Sequence, residues 1–145
     1  MSMRWVGVFL MVSAAAVAQS APVKAEDALA KARVFRYDEM PVRKMGNGGE
    51  MRQITQGVLA SGEAVALHES VQPAGAAPSP LHMIRHSEFV VVLEGTVEFD
   101  HDGKTERVGP GDVMYVAFGT EHRMKNVGDT LAKYLVVAVG GDVKK

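Results

Sequence analysis

The 145-residue chain contains no cysteine. That excludes disulfides and thiolate nucleophiles. Any metal centre must then be built from His, Asp, Glu or, less often, Met. Basic clusters are also missing: no run of Lys or Arg is longer than the terminal Lys144-Lys145, and the formal net charge is -1. An electrostatic footprint for nucleic acid is therefore excluded. Several catalytic signatures are absent as well. There is no Gly-rich phosphate loop ending in Gly-Lys-Ser/Thr and no Gly-x-Ser-x-Gly, and His68-Glu69 is not followed by the histidine of a zinc protease. No repeat of 20–50 residues and no low-complexity tract occurs, which excludes a solenoid or a disordered polyelectrolyte.

What is present is apolar. Hydrophobic residues make up 47% and charged residues 23%, enough for the core of one domain and too short a chain for two comfortable ones. The first apolar stretch is a separate matter. Residues 1–18 carry Arg4, then a run from Trp5, then Ala-Val-Ala at Ala16–Ala18. This is the pattern of a secretory signal peptide cleaved near Ala18-Gln19, and it predicts a periplasmic or secreted protein. The run is short for a membrane span and no positive charge immediately follows it, so no stable membrane anchor is expected after cleavage. Cleavage would remove Arg4 alone among the charged residues, leaving 15 basic against 17 acidic residues and a formal charge of -2.

Residues 19–49 read as a lead-in segment: a short helix or frayed stretch over Ala25–Arg33, a strand-like Val34-Phe35-Arg36-Tyr37 ending at Pro41, then a turn rich in glycine. From residue 50 to 140 nearly everything reads as β-structure. Eight short strands are expected here, within 52–61, 63–72, 88–95, 96–101, 104–112, 113–118, 122–127 and 131–140, roughly nine with the strand-like stretch ending at Pro41. Gly and Pro corners separate them, among them Ser61-Gly62, the loop Pro73–Pro80, and a hairpin turn at Asp102-Gly103. The segments Phe89–Leu93 and Leu131–Val139 are apolar at nearly every position, as in strands covered on both faces. The pattern predicts an all-β antiparallel sandwich or small barrel.

One constellation carries chemistry. In His82-Met83-Ile84-Arg85-His86-Ser87-Glu88, three candidate ligands lie within seven residues, and Gly95 follows Glu88 after six more. Further on, Gly111, Gly119, His122 and Asn126 recur within one strand-turn-strand segment. In order and spacing these residues resemble the two motifs of the small single-domain cupins, whose fold is a jelly roll or double-stranded β-helix. The resemblance covers roughly half the chain by motif. It departs at Gly75, one residue early, at Ala117, where a proline is expected, and at Ile84, where the second motif histidine should stand.

The resemblance implies one divalent metal (Fe, Mn, Ni, Cu or Zn) held by His82, Glu88 and His122, with His86 as a fourth ligand or a proton relay near neutral pH. It also implies a small-molecule substrate and a dioxygenase-, isomerase- or decarboxylase-like reaction, and it suggests a homodimer. The alternative is a metal-free barrel, binding a small molecule or serving as a structural unit, in which Ile84 enlarges an apolar wall. A straight strand would separate His82 from Glu88 by about 20 Å, so sharing one ion requires the chain to bend between them. His68 is expected toward solvent or the cavity mouth and His101 in solvent. Asn126 is expected to be structural; Met83, Met114 and Met124 are expected in the core; Tyr115 and Tyr134 are expected to pack there by default, with a hydroxyl available to the pocket.

Overall fold

The structure, a computed structural model, describes residues 29–144. The signal-peptide assignment and the start of the expected helix lie outside the described residues. From Leu29 to Arg36 the chain forms no helix or strand, and a single 3-10 turn spans Tyr37–Glu39 where a strand was expected. Arg52 explains the difference. Its guanidinium lies over the Tyr37 ring at 3.9 Å and donates to the carbonyls of Tyr37 and Met40, holding this segment curled rather than extended. No helix among the described residues is long and apolar enough to cross a membrane.

Ten strands follow: β1 (Val42–Lys44), β2 (Glu50–Val58), β3 (Ala64–Gln72), β4 (His82–Met83), β5 (Ser87–Glu94), β6 (Val97–His101), β7 (Lys104–Val108), β8 (Val113–Val116), β9 (Glu121–Asn126) and β10 (Ala132–Val139). All pairings are antiparallel. Six strands make one sheet in the order β1-β2-β3-β10-β5-β8, and four make a second in the order β4-β9-β6-β7. The fold is the all-β jelly roll expected of a double-stranded β-helix. The β6–β7 hairpin closes through Asp102 and Gly103, both at positive φ, the backbone that a two-residue turn of this hand requires.

The core sits between the sheets. Val90, Val92, Met114, Val116, Tyr134 and Val136 from the larger sheet meet Val97, Phe99 and Met124 from the smaller one. Each fully buried aliphatic side chain here contributes about 1.5–3 kcal/mol over an exposed one. The expectation that β5 is covered on both faces is corrected. Its inward face, Glu88, Val90 and Val92, is buried, but Phe89 and Leu93 are exposed on the other side, next to Val113 and Tyr115 of β8. Uninterrupted apolar sequence reported the strand here but not its covering, because hydrophobic residues also occur on exposed sheet faces.

Candidate functional site

The motif histidines converge because the chain changes sheets between them. His82 lies on β4 of the smaller sheet and Glu88 on β5 of the larger one, with a bend at Arg85-His86 in between. The bend that a shared site requires is therefore present. β9 supplies the third group, since His82 and His122 are register partners and their ring centroids stand 4.5 Å apart. Along β9 the alternation places His122, Met124 and Asn126 inward, all buried.

The hydrogen bonds set the tautomers. His122 Nδ1 donates to the Thr120 carbonyl at 3.3 Å and His82 Nδ1 donates to the Pro80 carbonyl at 2.9 Å. Each ring is thereby left with Nε2 as the lone-pair nitrogen. His122 Nε2 is buried and has no partner among the described residues, and it faces a Glu88 oxygen at 3.9 Å. Two acceptors thus face each other in a buried place, an arrangement that asks for a cation, a proton or a water between them. Burial holds His122 below the ordinary imidazole value against the opposing pull of the Thr120 carbonyl, so it stays neutral and ligand-competent.

His86 behaves differently. Its Nε2 donates to Glu88 at 2.8 Å and its Nδ1 donates to Asp142 at 2.7 Å. Burial works against its charge, but the two carboxylates outweigh that and hold it above the ordinary value. Asp142 was missed by sequence reasoning. Nothing near it in sequence marks it; it arrives because the chain after β10 folds back on the bend, with Asp142 N–H donating to the Arg85 carbonyl at 3.0 Å. Gly141 permits that approach. Its φ is +55°, and a Cβ there would lie 1.9 Å from the Arg85 oxygen.

The remaining candidates fall as follows. Ile84 is buried in the core cluster beside the site. His68 is not a solvent residue: the alternation of β3 and its pairing with Val136 put it on the inner face, half-buried, and burial lowers its pKa despite the field of Glu88. His101 is not free in solvent either. It stacks on Phe99 at 4.2 Å and both its nitrogens donate to carboxylates, those of Asp102 and Glu106. Met114 and Met124 are core residues, but Met83 is exposed, as is Tyr115. Asn126 is structural: its amide donates to the carbonyls of Gln72 and Thr130 and accepts from Gly128 N–H.

The profile of the family described as Cupin domain matches residues 67–138, which span both motifs. The chain carries a small cupin domain. Solved cupin structures agree in fold. An RmlC-like cupin from Shewanella frigidimarina is 18% identical, with 79% of this chain and 96% of that chain covered at a TM-score of 0.64. A predicted oxalate decarboxylase from Thermotoga maritima is 23% identical, with 74% and 98% covered at 0.61. A sugar phosphate isomerase of the cupin superfamily from Silicibacter pomeroyi is 21% identical, with 73% and 74% covered at 0.59. No curated protein matches. At these identities the likeness concerns fold alone.

Cupins commonly hold a metal, and the donor set of this cupin fits one in kind: two histidines with Nδ1 anchored, one carboxylate, and an orphaned Nε2. The fit is not a finished cage. Among the described residues, no three side chains from His, Asp and Glu are already set around one point at ligand spacing.

Proposed function

We propose that this cupin is an exported protein that binds one divalent metal through His82, Glu88 and His122 and acts on a small molecule, in the manner of an isomerase or decarboxylase. The observation that carries the reading is the buried, partnerless Nε2 of His122 opposite the Glu88 carboxylate. A bound cation would supply Lewis acidity, polarising an oxygen of substrate or water. Glu88 and His122 would hold it from the two sheets, and the exposed His82 would close the set. His86 is the proton relay. Its Nε2 already donates to Glu88, and Asp142 holds the ring in that orientation. The core around Ile84, Met114 and Val116 keeps water from the inner side of the cluster. The metal identity within Fe, Mn, Ni, Cu and Zn belongs to the same proposal, as does a homodimer formed through the exposed Phe89–Tyr115 face.

A metal-free binding barrel is the second reading, favoured by Ile84 at a ligand position of the motif and by the unfinished cage. Elemental analysis of protein exported without chelator separates the two. The expected result is close to one metal per chain, falling at least tenfold in His122→Ala and in His82→Ala. A content well below one that is the same in all three proteins removes the metal reading. On the same preparation, an intact mass starting at Gln19 checks export and sedimentation checks the dimer; a retained leader or a monomer overturns the corresponding part.

A further inference from the structure

A cleft of about 380 Å³ opens at the side of the barrel, and none of His82, His86, Glu88 or His122 lines it. It lies between the end of β3 and the loop that leads into β4. Met45, Ala77, Pro78 and Pro80 supply apolar walls. The buried Tyr134 hydroxyl and the hydroxyl of Ser70, its register partner on β3, supply the polar floor. The volume falls within the range of small-molecule sites, and an apolar cavity with a few converging polar groups is their usual make-up.

The floor has a direction. Asn126 N–H donates to Gln72 Oε1 at 2.9 Å, which fixes the Gln72 amide so that Nε2 donates to Tyr134 Oη at 3.0 Å. Tyr134 therefore receives a hydrogen bond and has its own proton to give. If it gives that proton to Ser70, Ser70 in turn holds one to spare. The chain of donors runs one way and ends in a hydroxyl donor at the cleft in either case. Burial is the main cause that pushes the Tyr134 hydroxyl up to about 12, so it stays protonated across physiological pH. The lining contains one charged residue, Glu50, and no Lys, Arg or His, which disfavours an anion.

We propose that this cleft binds a small, neutral, largely apolar molecule through a carbonyl or similar acceptor oxygen received by the Tyr134–Ser70 hydroxyl pair, as a site separate from the histidine cluster. The proposal is independent of metal binding.

Three probes of similar shape test it: acetophenone, which has an apolar body and one carbonyl; ethylbenzene, which lacks the acceptor; and benzoate, which is charged. Binding is read from amide shifts in ¹H–¹⁵N spectra of the purified protein. The expected result is saturable shifts at Asn47, Ser70 and Ala77, with acetophenone about three- to tenfold tighter than ethylbenzene and benzoate weakest. Tyr134→Phe combined with Ser70→Ala should erase the advantage of the ketone. Ala77→Trp, at an exposed loop position where folding is not at risk, should abolish binding of both acetophenone and ethylbenzene by filling the cleft. The proposal is overturned by equal affinity for the ketone and the hydrocarbon, by shifts centred on Glu88 and His122, by Ala77→Trp binding as the unmodified protein does, or by no saturable shift with any probe.

Discussion

Replacing Glu88 by Gln isolates what the carboxylate does when no metal is present. In the unmodified protein Glu88 accepts from His86 at 2.8 Å, in a place where both side chains are largely buried. A charge-assisted bond of this kind contributes about 1.5–3 kcal/mol, and roughly half of that depends on the charge. Glutamine keeps an acceptor for His86 but not the charge, so the expected loss is about 1 kcal/mol, or about 3–6 °C in Tm for a chain of this size. The pH dependence has a definite sign. His86 is held above its ordinary value in the folded state, so its contribution is complete below the unfolded value near 6.5 and is lost as pH rises through the raised folded value. In chelator-treated protein followed by circular dichroism in urea, Glu88→Gln should therefore be less stable by about 1 kcal/mol at pH 5.5. The gap should close by pH 8.5, where the glutamine amide can also donate to the lone pair of His122 Nε2, 3.9 Å from the carboxylate it replaces. Asp142→Asn should follow the same trend at about 0.2–1 kcal/mol, because the Asp142 side chain is 57% exposed and water screens the pair. A gap of equal size at both pH values would refute the assignment of charge to His86.

Two further outcomes follow from the site. Ile84→His places an imidazole in the apolar cluster and should cost about 2–4 kcal/mol without metal. Adding Zn²⁺ should raise its Tm more than that of the unmodified protein, and an equal response would show that position 84 does not face the ion. Gly141→Ala should cost at least about 2 kcal/mol, from the left-handed backbone and from a Cβ 1.9 Å from the Arg85 carbonyl. It should also perturb the His86 ring resonances; an unchanged Tm and unchanged resonances would place the 140–143 turn elsewhere.

Much of this was legible in the residues. Eight of the ten strands, β2, β3 and β5–β10, coincide with expected segments, because Gly and Pro corners punctuate them and alternation marks the buried face, as with Met124 and Asn126 on β9. The two strands not expected are the shortest, Val42–Lys44 and His82–Met83. In runs of two or three residues, pairing with a neighbour and not local pattern makes the strand. The 3-10 turn at Tyr37–Glu39 was hidden for a related reason. It depends on Arg52, a distant residue whose guanidinium satisfies the turn's carbonyls.

The sequence by itself determined the fold family, the order and spacing of His82, Glu88 and His122, and the need for a bend between His82 and Glu88, since all of these reside in residue type and interval. Tertiary structure decided which nitrogens are free, that His68 faces inward, that Ile84 is core, and that Asp142 reaches His86 across 56 positions of chain. It also decided that a one-way chain of donors runs from Asn126 through Gln72 to the Tyr134 hydroxyl, which lines a second cleft with Ser70. Tautomers and orphaned atoms depend on which backbone carbonyls and carboxylates come within 3 Å, and only the crossing of two sheets brings those groups together.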